Sequence, residues 1–124
     1  MVYRKGTKKP IPVERAISER DRMAVERACR DAVPPRLRST RRVDFTVRHL
    51  TVRVYVHAPV DPTNLDGEWR SRHLARLTYQ PDQAAWTLTY PAGNRWRDTP
   101  ELMGSLRLVL QRTVADQAQR IVEG

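Results

Sequence analysis

Apolar residues recur at Val43, Phe45 and Val47 and then, one step out of phase, at Val52, Val54 and Val56. Alternation at period two marks a half-buried strand, and the change of phase marks a turn. A hairpin centred between His49 and Leu50 puts Val47 opposite Val52, Phe45 opposite Val54 and Val43 opposite Val56, all on one face. His49 and Leu50 are poor residues for a tight primed turn, so the pattern predicts a four-residue loop from Arg48 to Thr51 in the same register. A second alternating pair, LARLTY and WTLTY, closes around QPDQAA. It predicts Tyr79 opposite Trp86, Leu77 opposite Leu88 and Ala75 opposite Tyr90. DPTNLDG, Asp61 to Gly67, is the richest loop signal, and PAGN is a further turn that leads into Arg95-Trp96-Arg97 as a short fifth strand.

Helical spacing flanks these strands. Ser18 with Asp21 three residues on resembles a capping box, and Val25, Ala28, Cys29 and Ala32 form one apolar face before Pro34-Pro35, which predicts a helix over Glu19 to Val33. At the other end, Thr99-Pro100-Glu101 has the residues of a helix start. Leu106, Leu110, Val114, Ala118 and Ile121 then give a stripe long enough to cross a sheet. The fold class expected is α+β: an antiparallel meander of four to five strands flanked by an N-terminal and a C-terminal helix packed on one sheet face. That face carries Val43, Phe45, Leu77, Trp86, Leu88 and Tyr90, so the rings of WTLTY belong to the core. Residues 1–17 have no periodicity and read as a flexible basic arm ahead of one α+β domain over 18–124.

Charge changes the picture more than composition does. In 124 residues, 40% are hydrophobic and 30% charged, which suits one small folded domain, but the net charge is +9. Lysine occurs only at Lys5, Lys8 and Lys9, and every other strong base is arginine, a bias typical of GC-rich, actinobacterial-type genomes. Such a balance favours phosphate polymers first, DNA or RNA, and an acidic protein partner second. Cys29 is alone, which excludes an internal disulfide. No apolar run reaches the roughly 18 residues of a membrane span, and the N-terminal stretch has no signal-peptide core, so a cytoplasmic protein with no membrane partner is expected. The oligomeric state is left open.

The face away from the core then carries Thr46, Arg48, Thr51, Arg53, Tyr55, Arg76, Thr78, Thr87 and Thr89. Guanidiniums and hydroxyls of this kind contact phosphate, so Arg48, Arg53 and Arg76, with Arg4, Lys5, Lys8 and Lys9 of the arm, are the expected nucleic-acid-binding set. Tyr55 is the one ring expected there, too little for base stacking. His57, Asp61, Asp66, Glu68 and His73 surround one loop, but their spacing matches no metal motif, and Cys29 on a helix face reads as a packed thiol. The chain has no glycine-rich phosphate loop, no paired zinc dipeptide and no serine elbow, so no metal, no cofactor and no catalytic residue is expected. A protein-interaction or oligomerising module is the alternative. A third reading takes Arg53, Tyr55, Arg76 and His73 as an imitation of the set used by RelE-like ribonucleases, although helices at both ends of a meander are not the order of those toxins.

PPRLR, a hairpin, EWRSRHLARLTY, WTLTY and a glycine-asparagine turn into RW together resemble the short bacterial proteins carrying domain of unknown function 3024, actinobacterial members in particular. The resemblance runs from about the first helix to Gly124 and is carried by Trp69, Ala75, Trp86, Leu88, Trp96 and the terminal glycine. Three positions depart from the pattern: Val56 or His57 and Arg112 stand where acids are usual, and Val122-Glu123 stands where an aromatic pair is. The resemblance implies an architecture and no established activity.

Overall fold

A computed structural model of the protein describes residues 17–97 and 101–124. The basic arm, with Arg4, Lys5, Lys8 and Lys9, lies outside them, as do Thr99 and Pro100. The first helix, α1, spans Glu19–Ala32, and the Ser18 hydroxyl accepts from the Asp21 amide at 3.0 Å. This is the cap that the sequence predicts, and Val33 ends the helix ahead of Pro34 and Pro35. Five antiparallel strands follow as one meander. They are β1 (Arg42–Arg48), β2 (Thr51–Pro59), β3 (Trp69–Gln80), β4 (Ala85–Thr89) and, further along the chain, β7 (Glu101–Gly104). Between β4 and β7, β5 (Pro91–Ala92) and β6 (Arg95–Trp96) make a separate two-stranded ribbon. The chain closes with α2 (Leu106–Asp116) and α3 (Ala118–Glu123).

Both hairpin registers follow the hydrophobic phase. Val47 faces Val52, Phe45 faces Val54 and Val43 faces Val56, and Leu77 faces Leu88 and Tyr79 faces Trp86. A slip of one residue would turn each set out of the core, so the phase fixes the pairing. The second ladder ends at Arg76 opposite Thr89, and the expected pair of Ala75 with Tyr90 is not made. The first turn is tighter than expected. Arg48 pairs with Thr51, and His49 takes a left-handed φ of 56°, leaving a two-residue loop. The Tyr79 amide donates to the Leu50 carbonyl at 3.0 Å, so β3 holds this turn from the side and offsets the strain of a non-glycine residue there.

The C-terminal part differs from expectation in two ways. Arg95-Trp96 pairs with Pro91-Ala92 rather than joining the sheet, and the fifth strand is instead Glu101–Gly104, in the stretch where a helix start is expected. A free edge on β4, beside the buried Trp86 and Leu88, outweighs the local capping signal. The helix begins six residues later than expected, where the Ser105 hydroxyl accepts from the Leu108 amide at 3.3 Å after Gly104 turns the chain at φ 98°. Its buried seam is Leu106, Val109, Leu110, Thr113, Gln117 and Ile121, while Val114 is half-buried and Ala118 exposed.

Helix residues Val25, Cys29, Val109 and Ile121 share one core with Val43, Val52, Val54, Leu77, Trp86 and Leu88 of the sheet. Gln117 is, with Thr113, one of two polar residues in the helical seam. β3 carries a bulge opposite Val54 and Tyr55, where Leu74 is the extra residue and has no partner in the ladder. The Gln117 amide donates to the Leu74 carbonyl at 2.9 Å and is only 6% exposed. Left unmet, a buried carbonyl of this kind costs about 1–3 kcal/mol. The bulge therefore survives because α2 and α3 meet over it.

Candidate nucleic-acid interface

The registers lay the outer sheet face out in rows. Arg48, Thr51, Thr78 and Thr87 cross the sheet in one line, and Thr46, Arg53, Arg76 and Thr89 in the next. Beyond the bulge, Asp44, Tyr55 and His73 form a third row and Arg42, His57 and Ser71 a fourth. The first row is tied together. The Thr51 and Thr78 hydroxyls are 3.3 Å apart, and the Thr87 hydroxyl donates to the Thr78 carbonyl at 3.2 Å. Hydroxyls already engaged in this way fix the strand spacing under the arginines.

Of the residues expected to bind phosphate, Arg48, Arg53 and Arg76 all lie on this face. Arg48 is exposed at the hairpin end, and Arg53 and Arg76 are half-buried and stand directly opposite each other. Like charges on directly opposed residues destabilise a sheet by a few tenths to ~1 kcal/mol. The ion pairs among the described residues are Arg30 with Asp31 and Arg112 with Asp116, neither of which touches this pair. Neither arginine has a carboxylate partner among the described residues.

Tyr55 does not stand alone, contrary to expectation. The bulge at Leu74 sets His73 opposite Tyr55, with ring centroids 4.8 Å apart, and His57 lies on the other side of Tyr55 at 6.3 Å. The ribbon then folds Trp96 beside them. Its ring meets His73 edge-on at 5.1 Å, and the Arg76 guanidinium lies over it at 4.7 Å. The result is a continuous run of rings and guanidiniums from His57 to Arg76. His57 is fixed by a hydrogen bond between its Nδ1 and the Ser71 hydroxyl. One expected solvent position is lost in the process: Thr89, in the row with Arg76, is 4% exposed. Arg53, Tyr55, Arg76 and His73, the four residues of the ribonuclease-like reading, are all on this surface.

Two clefts flank the ribbon and share Pro91 and Arg120. One, of about 440 Å³, is lined by Tyr90, Arg97, Arg112 and Asp116. There the Tyr90 hydroxyl donates to Asp116 Oδ2 at 2.8 Å, and this bond, followed by Arg112 at 2.8 Å, holds the Asp116 carboxyl below its ordinary pKa. The other, of about 390 Å³, is lined by Arg72, His73, Asn94, Arg95, Trp96 and Arg120. Sequence reasoning missed His73, Trp96 and these arginines as neighbours. The only signals were Trp96 itself and the GN turn beside it, and neither reveals a bulge.

The remaining chemistry is quiet. Burial, with a smaller effect from the Asp44 carboxylate, pushes the Cys29 thiol up to about 12, so it stays protonated. Asp61 is held below its ordinary pKa by the Thr63 hydroxyl and amide within its own loop. Among the described residues, no three His, Cys, Asp or Glu side chains are grouped to hold a metal ion. No helix there is long and apolar enough to cross a membrane.

One family model, Domain of unknown function (DUF3024), matches residues 13–120. The chain belongs to this family. No curated protein and no solved structure matches it. In this DUF3024 member the matched segment contains every described residue of the outer-face rows and both clefts.

Proposed function

We propose that the protein is a small cytoplasmic, non-enzymatic nucleic-acid-associated protein that contacts the phosphate backbone through its outer sheet face. The observation that carries this reading is the Arg53 and Arg76 pair, two half-buried arginines on facing strand positions with no ion-pair partner among the described residues. A phosphate oxygen between them relieves the repulsion and accepts from both planar forks. Arg48 extends the same surface, and Arg4, Lys5, Lys8 and Lys9 add sequence-independent attraction from the arm. A second reading, a protein-interaction or oligomerising module, is favoured by a different feature. This is the groove of about 910 Å³ between α1 and α2, lined by Ala24, Ala28, Ala32, Leu106, Leu110 and Val114.

Amide chemical-shift mapping separates the two. Titration with a short mixed-sequence oligonucleotide is expected to move signals of β2 and β3 around Arg53, Tyr55, His73 and Arg76, and to leave Ala24, Ala28 and Leu110 in place. Shifts confined to α1 and α2, or none at all, would overturn the phosphate reading.

A further inference from the structure

The cleft beside the ribbon has a composition that phosphate contact alone does not call for. Two of its walls are rings, the exposed His73 and the half-buried Trp96, which meet edge to face so that their planes diverge by 64°. Three of its other residues are Arg72, Arg95 and Arg120, all exposed and none in an ion pair among the described residues. Asn94, at the ribbon turn, supplies an amide with both a donor and an acceptor edge. Its volume of about 390 Å³ is at the lower end of the ~300–1,000 Å³ typical of small-molecule sites.

We infer that this cleft holds one nucleotide unit with an unpaired base. The inference rests on the proposed nucleic-acid reading and narrows it to single-stranded ligands. A flat heteroaromatic base stacks on His73 or Trp96, as bases do on aromatic and guanidinium planes. The Asn94 amide meets the polar edge of the base, and Arg72, Arg95 and Arg120 take its phosphate. A duplex cannot enter, because its bases are already stacked on one another and its edges paired. An acidic peptide would use the arginines but would leave the ring walls without a planar partner. The Arg76 guanidinium over Trp96 joins the cleft to the Arg53 and Arg76 pair, so neighbouring phosphates of one strand run from the cleft onto the outer face.

The test uses the full chain with three probes: a single-stranded oligonucleotide, the same sequence as duplex, and a nucleoside monophosphate. Trp96→Leu, His73→Ala and Asn94→Ala are each checked for folding by circular dichroism, so that one unstable variant does not decide the matter. The wild-type protein is expected to prefer the single strand by about tenfold or more. Trp96→Leu and His73→Ala are expected to lower single-strand affinity by about five- to hundredfold and duplex affinity by much less. The Trp96 indole signal, assigned through Trp96→Leu, is expected to shift with the strand. Displacement of the strand by the monophosphate would identify free nucleotide as a source of the ligand, and its failure would identify the strand, with the cleft supported in both cases. Equal affinity for single strand and duplex, unaffected by all three variants, would overturn the cleft while leaving the phosphate reading standing. Binding of monophosphate without any polynucleotide binding would do the reverse, and no binding of any probe would remove both.

Discussion

Trp86→Ala is expected to cost about 3–5 kcal/mol and to leave the protein largely unfolded at ordinary temperature. Trp86 sits on β4 between β3 and β7, opposite Tyr79 on one side and Gly104 on the other, and is 4% exposed. Its ring meets that of Tyr79 with centroids 5.4 Å apart at 57°, a geometry that adds about 0.5–1.5 kcal/mol beyond burial. For a small domain near the low end of the roughly 5–15 kcal/mol total stability of folded proteins, that loss is most of what is available. Thr87→Ala, one residue along and on the other face, is the comparison. It forfeits the hydroxyl bond to the Thr78 carbonyl at a cost of about 1 kcal/mol or less. Urea titration followed by circular dichroism measures both, and a Trp86→Ala midpoint close to that of Thr87→Ala would contradict the assignment of the two faces.

The double substitution Arg53→Ala with Arg76→Ala is expected to lower polynucleotide affinity by about a hundredfold or more, since each charge-assisted hydrogen bond lost is worth about 1.5–3 kcal/mol. Stability is expected to stay about level, because the end of the cross-strand repulsion offsets the loss of the Arg76 contact over Trp96. That combination is distinctive: a residue kept for structure loses stability when removed, and this pair is expected to lose only binding. Arg53→Lys with Arg76→Lys keeps the charge but loses the planar fork, so an intermediate affinity is expected. Arg30, paired with Asp31 at 3.7 Å on α1, is the control whose replacement by alanine leaves binding within about twofold. Anisotropy of a labelled oligonucleotide gives all four affinities, and a double variant that binds like the Arg30 control would remove the outer face from consideration.

What the sequence reveals and what it hides divide along physical lines. The two hairpin registers are legible because side-chain alternation has a period of two and one face must be buried, so Val47 with Val52 and Tyr79 with Trp86 have a single consistent solution. The Ser18 cap is legible because it is local. The strand Glu101–Gly104 is not, because its partner β4 is supplied by tertiary structure, while Thr99-Pro100-Glu101 carries a local signal for something else. The ring cluster is hidden for a related reason. In LARLTY and the residues before it nothing marks Leu74 as an extra residue, and the bulge depends on the Gln117 amide some forty positions away. Without the bulge His73 would not face Tyr55, and without the ribbon Trp96 would not reach either of them. The arginine rows, by contrast, follow directly from register, and so Arg48, Arg53 and Arg76 fall where alternation puts them.

The salt dependence of polynucleotide binding tests the phosphate contact most directly. Each phosphate neutralised on a single strand contributes about −0.7 to the slope of log affinity against log salt concentration. The wild-type protein is expected to show a steep slope reflecting several phosphates, and the Arg53→Ala, Arg76→Ala variant a slope shallower by about 1.4, two phosphates at 0.7 each. An affinity that barely changes between low and physiological salt, or a variant slope equal to the wild-type one, would contradict it.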